Sequence, residues 1–262
     1  MEIFADIDTW IALLTLTFLE IVLGIDNIVF ISIATNKLPK EQQRKGTNIG
    51  LLLAMVFRIL LLLGVSYLIA MKDPFLSIHN SWLSTDITGQ SIILILGGIF
   101  LLYKSTSEIH NKVEGSVKEN TPKKMASTLS KVIIQIVLID IVFSFDSVLT
   151  AVGMTNGTEG ALIIMITAVI VSMIIMMLFA NPVGQFVNTH PTVQMLALSF
   201  LILIGFMLIT EGAHLANTII FNNNIGTVPK GYLYFAIAFS LGLEALNMKI
   251  RKKKRLINYQ KF

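Results

Sequence analysis

Two acidic residues and an amide interrupt a strongly apolar stretch near the start of the chain. This stretch, FLEIVLGIDNIVF, spans Phe18–Phe30 and contains Glu20, Asp26 and Asn27. A carboxylate held at bilayer depth costs on the order of 3 kcal/mol or more, so it is retained where it has a function and a partner. The stretch therefore predicts a functional site, with a partner to be found elsewhere in the chain.

A second stretch of the same kind lies 120 positions later, at Leu138–Thr150, with the sequence LIDIVFSFDSVLT. The shift aligns four acidic, small or polar positions: Glu20 with Asp140, Gly24 with Ser144, Asp26 with Asp146, and Asn27 with Ser147. The register continues to Thr35 and Asn36, which fall on Thr155 and Asn156. Two acids at one shared spacing argue against a chance match of apolar helices, and they predict an internal repeat.

The spacing decides which of these side chains share a helix face. Offsets of four and seven residues return to one face. Two stripes result, one in each stretch: Glu20 with Gly24 and Asn27, and Asp140 with Ser144 and Ser147. Asp26 and Asp146 fall about 120° away from these stripes. Either continuous helices direct them to a different neighbour, or the helices are interrupted at Gly24 and Ser144 and all the oxygens converge. We favour interruption, because broken spans line many transporter sites.

The candidate metal ligands are the oxygen-bearing side chains of the two stretches: Glu20, Asp26, Asn27, Asp140, Ser144, Asp146 and Ser147. Carboxylate, amide and hydroxyl oxygens suit hard cations such as Mg²⁺, Ca²⁺ and Mn²⁺. Crowded acids repel one another unless a dication or Arg58 compensates them or some are protonated, and their protonation offers a route for exchanging protons against metal. The four histidines fall in loops or at span ends, which does not support an imidazole zinc site.

Several of these features also have a structural interpretation. A lone acid in a membrane span can serve as a hydrogen-bonding group between helices, although the duplication makes this the weaker interpretation here. We interpret Arg58 as a structural counter-ion, and Gly97 and Gly98 as positions where two helices approach closely. Glu244 either serves the site or docks the last helix, and the role of Glu211 stays open.

Composition identifies the class of protein. The 262 residues are 54% hydrophobic and only 14% charged, with a mean hydropathy of +0.76, as expected of an integral membrane protein. The absence of cysteine excludes disulfides and thiolate metal sites. Seven apolar runs predict an all-α, polytopic membrane protein with spans near Trp10–Ala34, Ile49–Met71, Gln90–Tyr103 (extending to His110), Val132–Gly153, Ala161–Ala180, Val193–Glu211 and Tyr232–Met248.

The basic residues predict the topology. With seven spans, 17 of the 20 Lys and Arg residues share one side, which the positive-inside rule places in the cytoplasm. The N-terminus is then outside and the basic tail is cytoplasmic. Topology therefore explains the sequence pI near 9.2, and no nucleic-acid partner is expected.

The domain boundaries follow from this topology. Residues 1–110 form a first three-helix repeat, 111–131 a cytoplasmic linker, 132–220 a second repeat, and 231–262 a seventh helix with the tail. Three spans per half invert the second repeat relative to the first. A 3+3 inverted repeat with one extra helix is typical of transporters that bind substrate near the midplane.

The chain resembles a known family. The paired stretches, GGIFLLYKSTSEIH, IGFMLITEGAH and PKGYLYFAIAFSLGLEALN are similar to the TerC family of bacterial integral membrane proteins over about Phe18–Asn247. The resemblance implies a multi-pass protein of the bacterial inner membrane, in a family named for tellurium resistance and linked to manganese homeostasis, chiefly Mn²⁺ efflux. It places the family's motif acids at Glu20, Asp26, Asp140 and Asp146.

Two functions are expected. The first is export of a divalent metal, with Mn²⁺ implied as substrate by the resemblance, no permanently bound cofactor, and coupling to protons. The second is a membrane-embedded partner that supplies metal to exported proteins, or stabilises a resistance complex, without transporting alone. No nucleotide-binding motif or HExxH motif occurs, and the serines lack a histidine partner, so an enzyme is not expected. The oligomeric state stays open.

Overall fold

The structure is a computed structural model that describes residues 7–115, 128–155 and 160–259, without the side chains of Leu23, Ile25, Asp26, Gly115 and 252–259. Within these ranges seven helices are long and apolar enough to cross a membrane, as predicted. They are α1 (Ile7–Thr35), α2 (Lys40–Leu63), α4 (Gly89–Gly115), α5 (Leu129–Thr155), α6 (Ala161–Thr189), α7 (Pro191–Leu215) and α8 (Lys230–Tyr259). A short helix, α3 (Val65–Ala70), follows α2. Most of the predicted linker, at 116–127, lies outside the described residues, as does the end of the tail.

Helices α2 and α6 extend past their predicted limits, as do α4 and α8, which continue to Gly115 and Tyr259. Helix α2 begins at Lys40, nine residues before the predicted apolar start, because the polar segment KEQQRKGTN contains good helix formers and an acid, Glu41, in its first turn. Helix α6 continues through Pro182 to Thr189, beyond its apolar run. The added residues at the start of α2 and at the end of α6 lie beyond the apolar runs, and both lie on the same face of the molecule.

The predicted interruption of α1 and α5 is wrong, since both helices are continuous. Gly24 instead allows α1 to pass close to α6: a Cβ atom there would lie 2.1 Å from the sulfur of Met176. Ser144 donates a hydrogen bond to the Asp140 carboxylate one turn earlier, within the regular helix. Neither residue is therefore a break.

A small antiparallel sheet, not expected from the sequence, joins two loops. Its strands run in the order β1 (Pro74–His79), β2 (Leu83–Thr88), β3 (Ile219–Ile220) and β4 (Asn223–Asn224). The β2–β3 pairing ties the loop before α4 to the loop before α8. We call this side of the molecule the Lys230 face, because α8 begins there, and the opposite side, where α2 begins, the Lys40 face.

The helices pack mainly in three pairs. Helix α1 lies against α6, α2 against α5, and α4 against α7. Gly98 and Gly205 make the last contact close, since a Cβ on Gly98 would lie 2.5 Å from the Gly205 carbonyl oxygen. The inverted repeat stays a prediction from the sequence. Helix α8 packs mainly against α7.

Candidate ion-binding site

A buried arginine joins three helices at the centre of the molecule. Arg58 on α2 is only 2% exposed. Its Nη2 donates to Asp140 Oδ1 on α5 at 3.1 Å, its Nη1 pairs with Glu20 on α1, and its Nε donates to Ser144 Oγ at 2.8 Å. The two acids aligned by the repeat are thus brought to one guanidinium. We call Glu20, Arg58, Asp140 and Ser144 the Arg58 cluster.

The Arg58 cluster has a formal net charge of one negative unit, because two carboxyl groups face one guanidinium. Glu20 and Asp140 are 6% and 4% exposed, so water contributes little to their solvation. Buried charges of this kind persist only when paired and hydrogen-bonded. The interpretation of Arg58 as a counter-ion therefore agrees with the geometry.

Asn27 extends the Arg58 cluster by one group. Its Nδ2 donates to Asp140 Oδ1 at 3.4 Å, while its Oδ1 is buried with no hydrogen-bond partner among the described residues. A buried acceptor left without a donor costs about 1–3 kcal/mol. A cation or a donor placed beside this oxygen would remove that cost.

Asp146 belongs to a different group on the other side of α5. Lys230 Nζ donates to Asp146 Oδ2 at 2.7 Å and to Thr150 Oγ1 at 3.1 Å. This is the geometry of the continuous-helix alternative, in which Asp146 meets a different neighbour. We call Asp146, Thr150 and Lys230 the Lys230 cluster. The side chain of Asp26, its repeat partner, lies outside the described part of the chain.

A narrow cavity of about 40 Å³ separates the two clusters. Its polar lining comes from both of them and from the residues between: Asn27, Arg58, Asp146, Ser147, Glu211 and Lys230. A cavity of this size accommodates about one water or one small ion. The hydroxyl of Ser147 donates to the Ser144 carbonyl oxygen at 3.3 Å.

The predicted ligands are therefore distributed over two neighbouring clusters. Glu20, Asp140 and Ser144 lie in the Arg58 cluster, Asn27 lies beside it, Asp146 lies in the Lys230 cluster, and Ser147 lines the cavity between them. Among the described side chains, no three of the His, Asp and Glu residues are grouped closely enough to hold a metal ion. Metal binding by these residues stays a prediction.

Lys230 and Glu211 are the residues of the site that sequence reasoning missed or left open. Lys230 was not among the predicted site residues, because nothing local in the sequence indicates that its side chain reaches α5. Glu211 was visible as an acid at the end of an apolar run, and the structure places it in the cavity lining. Both come from the α7–α8 region, which the β2–β3 pairing holds against the rest of the Lys230 face.

Glu244 lies at the other end of α7. Its carboxylate accepts a hydrogen bond from Thr192 Oγ1 at 2.5 Å, in the first turn of that helix. Glu211 lies 19 residues further along α7, a separation of about 28 Å along the axis. Glu244 therefore docks α8 on α7 and does not serve the cavity.

A larger cavity opens on the Lys40 face between α1, α2 and α6. Its volume is about 470 Å³, and we call it the vestibule. Ser32 and Gly184 line it where α1 and α6 touch, and Ser32 Oγ donates a hydrogen bond to the Gly184 carbonyl oxygen at 3.1 Å. Ser32 lies five residues from Asn27, about 7.5 Å along α1.

Comparison with known proteins identifies the family. The family model described as "Integral membrane protein TerC family" matches residues 5–256. The inner membrane protein YgdQ of Escherichia coli K12, a UPF0053 protein, is 45% identical over 249 residues, covering 95% of this chain and 96% of the relative. A UPF0053 protein of Haemophilus influenzae is 41% identical over 251 residues, covering 96% and 98%.

A longer relative shows the same similarity over part of its length. The UPF0053 protein YegH of Escherichia coli K12 is 40% identical over 259 residues, which are 98% of this chain but 46% of the relative. No solved structure matches. The family match covers nearly the whole chain, and the structure supplies the seven apolar helices that a multi-pass membrane protein requires. The chain therefore belongs to the TerC family of integral membrane proteins.

Proposed function

We propose that this protein is a transporter that exports a divalent cation, with Mn²⁺ as its substrate, in exchange for protons. The observation that carries the proposal is the convergence of Glu20 and Asp140 on one guanidinium, beside an Asn27 Oδ1 that lacks a partner. Oxygen ligands favour Mn²⁺, Ca²⁺ and Mg²⁺ alike. The choice of Mn²⁺ rests on the family resemblance.

Arg58 has a defined role in this proposal. In the metal-free protein its guanidinium neutralises part of the charge of Glu20 and Asp140. A dication entering the narrow cavity gains Asn27 Oδ1 and competes with the guanidinium for the two carboxylates. Arg58 thus acts as a tethered counter-ion, and Lys230 does the same at Asp146. Proton uptake by the acids after metal release restores the charge balance.

Cavities approach the site from both faces. The vestibule on the Lys40 face holds about 470 Å³ and reaches Ser32, about 7.5 Å along α1 from Asn27. Toward the Lys230 face, the narrow cavity holds about 40 Å³, and a further cavity of about 180 Å³ is lined by Glu20, Ser147, Thr150 and Lys230. Such an arrangement fits a transporter whose site is reached from each face in turn. The positive-inside rule assigns the Lys40 face to the cytoplasm, as export requires.

The energy source and reaction class follow from the sequence. No nucleotide-binding motif is present, so uphill export uses an ion gradient. The described site contains an arginine held by carboxylates and no activated nucleophile. We infer transport and not catalysis.

The test is Mn²⁺ flux into proteoliposomes that contain the purified protein alone, with a dye that reports protons. We expect Mn²⁺ movement accompanied by opposite proton movement in the wild type. Asp146→Asn should reduce the flux at least tenfold while the protein stays folded, because Asp146 loses its charge in the cavity. Ser105→Ala is the matched control, since Ser105 is buried in α4 and is not among the residues that line the cavity.

A second candidate function is supported by the Lys230 face. The sheet and its turns expose apolar side chains there, including Phe75, Trp82 and Phe221, which are 65%, 52% and 72% exposed. Strand β1 is an edge strand, so its free backbone groups offer a pairing surface. This surface suits a membrane-embedded partner that hands metal to exported proteins. A well-folded wild type that moves no Mn²⁺ alone would favour this function over autonomous transport.

A further inference from the structure

The walls of the vestibule have an unusual charge for a cation route. Two basic residues, Lys40 and Arg44, line it from α2, and neither has an ion-pair partner among the described residues. No carboxylate belongs to the described lining. A cavity with two cations and no acid attracts anions, and an anion bound there would offset the positive charge that a dication meets on this side.

Neutral hydrogen-bond donors complete the lining. Asn181 and Gln185 line the vestibule from α6, opposite the basic residues, and each carries an amide that is not engaged by another described side chain. Two cationic groups with amides across a gap suit the several acceptor oxygens of a phosphoryl group. The vestibule lining is less suited to a metal ion, because the Lys40 ammonium and the Arg44 guanidinium offer no electron pair for coordination.

One wall of the vestibule carries an exposed apolar side chain. Leu178 lines it and is 70% exposed. Leu178 lies 11 residues before the end of α6 at Thr189, about 16 Å along the helix axis, and two residues inside the end of the apolar run at Ala180. An acyl chain can therefore lie against Leu178 while its headgroup reaches Lys40 and Arg44. Basic pockets between membrane helices on the cytoplasmic side commonly bind anionic headgroups in this way.

We propose that the vestibule between α1, α2 and α6 is a binding site for a phosphoryl anion, held by Lys40 and Arg44 with the Asn181 and Gln185 amides. The phosphoryl group belongs either to an anionic phospholipid or to free phosphate. The proposal rests on the vestibule lining alone. It therefore stands whether or not the buried acids carry a metal ion.

The experiment measures phospholipid binding to the purified full chain by native mass spectrometry. The probes are phosphatidylglycerol and phosphatidylcholine at equal concentration, followed by competition with inorganic phosphate. We expect preferential retention of phosphatidylglycerol by the wild type. The double variant Lys40→Gln, Arg44→Gln should lose that retention at least tenfold, because it removes both charge-assisted contacts.

Two further variants separate a built site from diffuse attraction. Lys45→Gln, Lys249→Gln removes the same charge from exposed positions outside the described vestibule lining, and it should bind like the wild type. Asn181→Leu keeps every charge and the approximate side-chain volume but removes one amide, and it should weaken binding several-fold. The elution profile in size-exclusion chromatography checks that each variant is folded.

Each outcome decides the proposal. Phosphatidylglycerol retention that depends on Lys40 and Arg44 supports it with lipid as the source. Phosphate binding with the same dependence, but no preference between the two lipids, supports it with free phosphate as the source. Equal loss in both double variants shows diffuse attraction and overturns the proposal. Absence of binding of either probe to a folded wild type also overturns it.

Discussion

Arg58 connects acids that lie 120 positions apart in the chain, and much of the centre of the molecule depends on it. Its three donor nitrogens each meet an oxygen: one on Glu20, one on Asp140 and one on Ser144. The planar guanidinium suits such a three-way contact, whereas a lysine ammonium offers no comparable fork. The Arg58 cluster is therefore both buried and charged, and it is stable only when Glu20, Arg58 and Asp140 are all present.

Removal of Arg58 should destabilise the fold. Arg58→Met leaves two buried carboxylates without compensation, and we expect a loss of about 3–5 kcal/mol in the free energy of unfolding. The measurement is unfolding in detergent followed by circular dichroism. The triple variant Glu20→Gln, Arg58→Met, Asp140→Asn removes all three charges and should recover most of the loss. Unfolding of Arg58→Met at the wild-type midpoint would show that Arg58 is not the counter-ion.

The residues of the site could be predicted only in part. The shift of 120 positions identified Glu20 and Asp140 as a pair, because matched acids in apolar segments have little other explanation. The partner of Asp146 could not be predicted, because Lys230 reaches it from the first residue of α8 and no sequence periodicity indicates that contact. Arg58 was visible as the one basic residue inside a span, but its three contacts depend on the packing of α1, α2 and α5.

At the scale of elements, glycines set the distances between helices. The Cβ that a substitution would add at Gly98 falls 2.5 Å from the backbone oxygen of Gly205, and one at Gly205 falls 2.9 Å from that of Gly98. Close backbone approach of this kind is a common means of helix association in membranes. The interpretation of Gly98 as a close-approach position thus agrees with the structure.

Gly98→Ala should therefore separate α4 from α7. Because the clash is with backbone, the helices must shift, and we expect destabilisation by about 1–3 kcal/mol. Gly242→Ala is the matched control: it lies within α8, and a Cβ there meets nothing within 4 Å. Thermal unfolding of both variants in the same detergent makes the comparison. Equal midpoints for the two variants would contradict a role for Gly98 in helix approach.

The helices themselves were largely predictable, and their ends were not. Apolar runs fix where a span must lie, but they carry no information about polar helix extensions such as Lys40 to Asn48. The expected breaks at Gly24 and Ser144 failed for a related reason. A small residue in a span permits either a break or a close contact. At Gly24 the position of Met176 on α6 decides between them, and at Ser144 the side chain is engaged by Asp140 and Arg58 within a regular helix.

At the scale of the whole molecule, the two faces differ in charge and in structure. The Lys230 face carries the small sheet, and the Lys40 face carries the ends of helices rich in basic residues. The sheet escaped sequence analysis because two of its strands are only two residues long and pair across the chain. The seven spans were predicted, since a length of about 20 apolar residues is imposed by the bilayer itself.

The orientation in the membrane can be tested directly, because the chain contains no cysteine. We expect Asn80→Cys, in the β1–β2 turn, to react with a membrane-impermeant maleimide in intact cells. Gln42→Cys, near the start of α2, should react only after permeabilisation. Both positions are exposed. Labelling with the opposite pattern would reverse the orientation that the positive-inside rule predicts.

The central claim is that the oxygens around Asn27 bind a divalent cation, and equilibrium Mn²⁺ binding tests it most directly. The electron paramagnetic resonance signal of free Mn²⁺ is measured during titration of wild type, Asn27→Leu and Ser105→Ala. Asn27→Leu removes the unpartnered oxygen while Arg58 still holds Asp140. We predict binding by wild type and Ser105→Ala, and at least tenfold weaker binding by Asn27→Leu. Equal binding by all three folded proteins, or none by the wild type, would contradict the account.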